Sequence, residues 1–355
     1  MDSYVDYIAK LKFIEPIGEG VFGEVHRAID PVHGDVAVKK FFRSKFGSQE
    51  AWEEACAGAL KEARSLKALE HDNVVRIFQV SQSPSGDEFV IVMEFCEGKS
   101  ARQLTETNMV HLPRAKAVIR DAAIGLNFIH GNKYLHRDIK PDNILLKASG
   151  RAKLGDFGFV TDDLQLGFAT PYGTAIYWAP EVLGENACSE LSDVYSLGVT
   201  FVNLVSGDRW LLREGKGCLL QIDADGNPCL KPKIFLLPHI PLTWRNTMAK
   251  LCRHEAANRC QSLSAAVNAI ARLPAVEPWT CNVGEDVIQW SLEKGKRRVR
   301  VEWRNYLGRP GEHWTAWSEE ISGGGRRAMA MGKKGDKWQA VYGSLQSFFA
   351  SRTVR

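Results

Sequence analysis

The chain has 355 residues, 45% of them hydrophobic and 25% charged, with a formal net charge of +4. These are the proportions of a soluble globular protein, and the length holds a domain of about 260 residues with a small appendix, at roughly 100–200 residues per domain. No run approaches the roughly 18 apolar residues of a membrane span, and Met1-Asp2-Ser3-Tyr4 lacks the basic and apolar regions of a signal peptide, so a cytoplasmic location is expected.

In chain order, Leu11 to Ile17 reads as a strand, Gly18-Glu19-Gly20-Val21-Phe22-Gly23 as a glycine loop, and Glu24 to Ala28 as a second strand. G-x-G-x-x-G also marks dinucleotide-binding folds, where it opens a helix after a strand. A strand–loop–strand hairpin instead lets the backbone close over phosphates, because glycine has no Cβ to hold the chain away. Val36-Ala37-Val38-Lys39 follows as an apolar strand ending in a cation. A lysine on such a strand needs a partner, since an unpaired buried charge is costly. ATP phosphates and a carboxylate supply one, and the candidate carboxylate is Glu62, because Ala59, Ala63, Leu66 and Leu69 fall at helical spacing around it.

The most specific segment is His136-Arg137-Asp138-Ile139-Lys140-Pro141-Asp142-Asn143. An attacking hydroxyl needs a carboxylate within hydrogen-bond reach to orient it and take its proton, and Asp138 suits that role. Lys140 neutralises charge on a transferring group, and Asn143 offers an amide oxygen to Mg²⁺. Leu145-Leu146 and Lys153-Leu154-Gly155 read as a short hairpin that returns Asp156, of Asp156-Phe157-Gly158, beside Asn143. One Asp and one Asn suffice for Mg²⁺, which takes few protein ligands alongside phosphate oxygens.

On these motifs the chain resembles the eukaryotic-type (Hanks-type) Ser/Thr protein kinases from about residue 11 to about residue 273. The resemblance implies an α+β, two-lobed protein-kinase fold, with a β-rich N-lobe at about 11–95 and a mainly helical C-lobe at about 96–273. It implies ATP and Mg²⁺ as cofactors, and Lys39, Glu62, Asp138 and Lys140 as catalytic residues, with Asn143 and Asp156 on the metal. Ile17, Gly18, Glu19, Gly20, Val21, Phe22, Gly23, Val25, Ala37, Lys39, Met93, Glu94 and Cys96 then line the ATP site, with Met93 as gatekeeper and Glu94-Phe95-Cys96 as the adenine-binding hinge.

Gly173-Thr174-Ala175-Ile176-Tyr177-Trp178-Ala179-Pro180-Glu181 is similar to the family's substrate-docking segment, and Lys140 and Thr174 are of the Ser/Thr type. Asp193 resembles the aspartate that braces the catalytic loop, and Arg259 the arginine that pairs with the glutamate at Glu181. Arg137 stands where the family often has an arginine that pairs with a phosphorylated activation-loop residue. Thr161 and Thr170 are the expected autophosphorylation sites, with Tyr172 also in that loop and Thr174 assigned to docking; Asp162 and Asp163 are an alternative source of negative charge.

Beyond the catalytic motifs, Val194 to Val205 reads as a buried helix, and Cys218 to Asp223 with Pro228 to Leu230 as a hairpin around an Asp-Gly turn. Cys252, His254 and Cys260 lack an evident fourth metal ligand, so the thiols are expected to be reduced and structural.

Leu273-Pro274-Ala275-Val276-Glu277-Pro278 reads as a stiff linker (274–280) before a module at 281–355. That module has 14 Lys and Arg against 8 Asp and Glu, leaving 32 against 34 before it, so it carries the whole basic balance. It also holds five of the ten tryptophans: Trp290, Trp303, Trp314, Trp317 and Trp338. In Arg298-Val299-Arg300-Val301-Glu302-Trp303-Arg304, strict alternation sets Val299, Val301 and Trp303 against Arg298, Arg300 and Arg304, a half-buried strand. Lys337 to Tyr342 repeats that pattern less cleanly, and the expectation is a small antiparallel β module that serves as a structural or protein-docking appendage with a solvated arginine face; the alternatives are nucleic-acid binding through that face and an acidic partner or substrate tether. The functional expectation is a protein kinase with protein substrates; the alternative is a nucleotide-binding, kinase-like scaffold whose basic module binds a partner.

Overall fold

A computed structural model describes residues 8, 10–20, 23–67, 70–107, 109–155, 175–185, 188–213, 219–222, 228–231, 235–332 and 337–352. Apolar residues alternating with polar ones, and one nearly continuous apolar run, build a five-stranded antiparallel sheet. Its strands are β1 (Lys12–Gly20), β2 (Gly23–Asp30), β3 (Gly34–Phe42), β4 (Ile77–Gln82) and β5 (Glu88–Glu94), in the order β1-β2-β3-β5-β4. The alternation of β3 and β5 divides two cores. Val36, Val38, Val90 and Val92 pack with Leu11 and Ala28 in one. Ala37, Phe41, Phe89, Ile91 and Met93 join the other, along with Trp52, Ala55 and Cys56 of helix α1 (Gln49–Lys67). Lys39 therefore sits on the face that α1 covers.

The second lobe is mainly helical. Helices α2 (Ala101–Thr107) and α3 (Leu112–Gly131) precede the catalytic loop, and the short hairpin β6 (Ile144–Leu146) and β7 (Ala152–Leu154) follows it. Next come α4 (Pro180–Glu185), α5 (Glu190–Ser206) and α6 (Asp208–Leu211), then hairpin β8 (Leu220–Ile222) and β9 (Pro228–Leu230), then α7 (Leu242–Leu251) and α8 (Leu263–Ala271). Ser189 starts α5 with a reciprocal capping box to Ser192, and every residue from Ser192 to Ser206 is buried. Gly198 allows α7 to approach, since a Cβ there would lie 2.6 Å from Cys252 Sγ and from Leu251 Cβ. The hairpin expected after Gly207 is present, its turn at 223–227 outside the described residues. Among the described residues no helix is long and apolar enough to cross a membrane.

The C-terminal residues form a second five-stranded antiparallel sheet in sequential order: β10 (Thr280–Val283), β11 (Val287–Lys294), β12 (Arg297–Arg304), β13 (His313–Glu320) and β14 (Arg327–Met331). Val301 and Trp303 face inward, as the alternation requires. The segment from Lys337 to Tyr342, which reads as strand-like, instead caps and opens helix α9 (Trp338–Ala350). Val341, Tyr342, Leu345, Phe348 and Phe349 are its buried residues, a helical spacing that exceeds the six-residue window in which alternation is seen.

The sheet and α9 share one core with the helical lobe. Trp290 Nε1 donates to His239 Nδ1 at 3.0 Å with both residues buried. The Tyr342 hydroxyl donates to the Leu236 carbonyl and accepts from Arg245. The Phe235 ring lies 4.7 Å from Tyr342 and 5.4 Å from Trp338. On the outer face, Arg298 pairs with Glu293, Arg300 with Glu319 at 2.5 Å and Arg304 with Glu302 at 2.7 Å. Trp290, Trp303 and Trp314 are buried, and Arg326 covers the Trp317 ring at 3.8 Å.

Candidate active site

Pairing of Gly18 with Val25, Glu19 with Glu24 and Gly20 with Gly23 makes the glycine motif a β-hairpin. No helix follows it, so the geometry is not that of a dinucleotide-binding turn. Val21 and Phe22, at its tip, lie outside the described residues. The glycines differ in their surroundings: a Cβ on Gly23 would lie 1.7 Å from the Lys40 carbonyl oxygen, whereas one on Gly18 would meet Val25 Cβ at an ordinary 3.7 Å.

Lys39 pairs with Val25 on one side and Ile91 on the other, and its Nζ lies 5.2 Å from the Phe41 ring centre. Glu62 stands in α1; its side chain is outside the described residues. Ala37, Met93 and Cys96 are buried, Ala37 directly opposite Met93, and Ile17 is exposed on β1. Burial, with a smaller contribution from Glu94, pushes the Cys96 thiol up to about 12.

The catalytic loop is held from beneath by α5. Asp193, buried, accepts from the backbone N–H of His136 at 2.9 Å on Oδ2 and of Arg137 at 2.8 Å on Oδ1. His130 Nε2 donates to the same Oδ2 at 2.7 Å, and Thr200 donates its hydroxyl to the Ile139 carbonyl at 3.3 Å. These bonds hold Arg137 at φ +69°, a left-handed conformation costly for a residue with a side chain. His136 Nε2 donates to the Gly155 carbonyl at 3.2 Å. His130 and Thr200 are missed by motif reading, because only the helix packing brings them to the loop.

Asp138 is 6% exposed. Its Oδ2 accepts from Asn143 Nδ2 at 2.7 Å and lies 2.7 Å from Lys140 Nζ. Its Oδ1 is buried and, among the described residues, has no hydrogen-bond partner. A buried carboxylate oxygen left unsatisfied costs free energy, and an incoming hydroxyl would supply the missing bond. Asn143 Nδ2 also donates to the Asp138 carbonyl at 2.8 Å, so both of these side-chain bonds use the NH₂ end of the amide. An amide oxygen plus a carboxylate is a hard-oxygen donor set that fits Mg²⁺. The Gly155 N–H donates to the Asn143 carbonyl at 2.9 Å, which brings the chain to Asn143 one residue before Asp156. Asp156, Thr161, Thr170, Tyr172 and Thr174 lie outside the described residues.

Below the site, Arg259 is fully buried and binds Glu181 with two parallel bonds, Nη1 to Oε1 at 2.5 Å and Nη2 to Oε2 at 2.7 Å. It also donates to the carbonyls of Arg253, Leu191 and His254, so the paired charge is well solvated by the protein. Cys252 and Cys260 are buried, and among the described residues no group of three or more His, Cys, Asp or Glu is arranged to hold a metal ion.

The family model for the protein kinase domain matches residues 11–266. Serine/threonine-protein kinase CLA4 of Eremothecium gossypii is 30% identical over 243 residues, covering 65% of this chain and 30% of that protein. Serine/threonine-protein kinase GRIK1 of Arabidopsis thaliana is 33% identical over 202 residues, 54% of this chain and 50% of that protein. Serine/threonine-protein kinase STE20 of Candida glabrata is 33% identical over 227 residues, 63% of this chain and 24% of that protein. The matched part spans half or less of each relative's length. With its hairpin, braced catalytic loop and Glu181–Arg259 pair, this chain belongs to the protein kinase domain family, and its relatives are Ser/Thr protein kinases.

Proposed function

We propose that this protein transfers the γ-phosphoryl group of Mg·ATP to Ser or Thr hydroxyls of protein substrates and of its own activation loop. The observation that carries the reading is the Asp138 carboxylate. Asn143 and Lys140 hold one oxygen and leave the other buried without a partner among the described residues. That free oxygen suits a hydroxyl acceptor, which Asp138 would orient and relieve of its proton as its oxygen bonds the γ-phosphorus and the bond from that phosphorus to the oxygen leaving with ADP breaks. Lys140, beside Asp138, would offset negative charge on the transferring group. Asn143 and Asp156 are the residues that would hold Mg²⁺, and Lys39 with Glu62 would position the phosphates; bound metal supplies charge neutralisation between phosphate oxygens.

For residues 281–355 we favour a structural or protein-docking role over nucleic-acid binding. Arg298, Arg300 and Arg304 of the outer face are each paired with a carboxylate of the same sheet, and three of the tryptophans are core residues. A phosphate contact would have to break those pairs.

Incubation with γ-labelled ATP and a generic protein substrate, followed by phosphoamino-acid analysis, tests the reading. Phosphoserine or phosphothreonine that disappears on chelation of Mg²⁺ is expected. Phosphotyrosine alone contradicts the acceptor class, and ATP binding without any transfer supports the scaffold instead. Phosphopeptide mapping of active protein should find Thr161 or Thr170 modified; modification only elsewhere removes that assignment.

A further inference from the structure

The hairpin β6–β7 begins immediately after Asn143 and ends at Leu154, and the Gly155 N–H that follows returns to the Asn143 carbonyl, so both strands are anchored at that proposed metal ligand. Its lysines reach the segment Glu94-Phe95-Cys96. Lys153 Nζ donates to Glu94 Oε2 at 2.8 Å and to the Val74 carbonyl at 3.2 Å. Lys147 Nζ donates to the Phe95 carbonyl at 2.9 Å and to Glu97 Oε1 at 3.1 Å, and lies 3.4 Å from Glu94 Oε1. Each oxygen of the Glu94 carboxylate is thus held by a different lysine of one hairpin.

We propose that Lys147 and Lys153 are positioning residues that fix the hinge Glu94-Phe95-Cys96 at a set distance from Asn143, the metal-ligand candidate from which the hairpin runs on. The inference rests on the nucleotide site proposed above. The backbone supports it: Leu146 N–H donates to the Lys99 carbonyl at 2.8 Å and Gly98 N–H to the Leu146 carbonyl at 2.7 Å, so the chain leaving the hinge is pinned along β6. The Lys153 and Glu94 side chains are only 12% and 20% exposed, where a charge-assisted hydrogen bond is stronger and less screened than on the surface. Lys147 also binds the Phe95 carbonyl, which fixes that peptide plane. A nucleotide has its base at one end and its phosphates at the other. A shift of the hinge against the hairpin therefore weakens the contacts at the base end when the phosphates are held, a loss of uniform binding that raises KM and leaves kcat nearly unchanged.

Two lysines that merely neutralise nearby glutamates would affect stability but not the balance between nucleotide affinity and turnover. The test is steady-state kinetics of full-length Lys153→Met and Lys147→Met with saturating peptide substrate, beside thermal melts. The expected result is a rise in KM for Mg·ATP of about tenfold in each, the size of one charged hydrogen bond, with kcat and the peptide KM within about twofold. Lys153→Arg, which keeps the charge and a donor, should recover most of the loss. A folded Met variant with unchanged ATP KM, or one whose kcat alone falls, overturns the proposal. Should Lys153→Met fail to fold, Glu97→Gln loosens Lys147 from the exposed side and should still raise the ATP KM about two- to threefold; no change there overturns it as well. A wild-type protein that neither binds nor turns over Mg·ATP would overturn the nucleotide-site reading itself, and this inference with it.

Discussion

At Asp138, local sequence and distant packing meet. Its neighbours Lys140 and Asn143 come from the same eight residues, and their spacing alone is enough to suggest their partnership. What presents them is Asp193, fifty-five residues away, which holds the loop backbone through two N–H groups and keeps Arg137 in a left-handed turn. The resemblance points to Asp193, but the contributions of His130 and Thr200 depend on how α3 and α5 pack, which no local pattern reports. The glycines of the loop show a similar limit. They look equivalent in G-x-G-x-x-G, yet Gly23 lies against the β3 backbone and Gly18 does not. Gly23→Ala should lower the melting temperature by several degrees, since overpacking costs about 1–3 kcal/mol. Gly18→Ala should leave it nearly unchanged. Equal melting temperatures for the two variants, read by calorimetry, would contradict this account of the hairpin.

At the scale of elements, what can be read from sequence depends on how local the signal is. The Asp-Gly turn marks β8–β9, and the strict alternation from Arg298 to Arg304 marks β12. Helix α9 is misread because Lys337 to Tyr342 alternates over a window shorter than two helical turns, and the apolar stripe is complete only at Phe349. The ion pairs of the outer face are equally hidden, since the register of β12 against β11 and β13 decides which glutamate meets which arginine.

Where the sheet meets the helical lobe, His239 accepts from Trp290 as a neutral ring. Burial, reinforced by the nearby Arg245 charge, holds its imidazole down to about 3 from an ordinary 6.5. Between those values the unfolded chain binds a proton that the folded chain refuses. Its contribution is therefore fully present above about pH 6.5 and is lost as the pH falls, at up to about 1.4 kcal/mol per pH unit. Denaturant unfolding at pH 7.5, 6.5 and 5.5 should show a shallower loss in His239→Gln than in the wild type. Parallel curves would mean that His239 does not set the acid sensitivity of this contact.

For the whole molecule, the sequence suggests a kinase domain, a stiff linker and an appendix, whereas one cluster of buried side chains runs through all three. The difference arises because a proline-rich join is visible in sequence, but the partners of Phe235, Leu236 and His239 lie between fifty and one hundred and ten residues further on. Removing residues 281–355 would uncover these side chains along with Trp210, whose ring lies 6.3 Å from that of Tyr306. Each large apolar side chain so exposed costs about 1.5–3 kcal/mol, and a few of them exhaust a typical stability of about 5–15 kcal/mol. A chain ending at residue 273 should therefore lack a cooperative melt and collect in the insoluble fraction. Recovery of a soluble fragment with the full-length melting temperature would show the module to be separable.

The central claim is that Asp138 accepts the hydroxyl proton in a phosphoryl-transfer site, and transfer from γ-labelled Mg·ATP by wild type and Asp138→Ala tests it most directly, with nucleotide affinity measured on both. The account predicts that transfer falls by about 10²-fold or more in the variant while ATP affinity stays close to wild type. Equal transfer by the two proteins would contradict it.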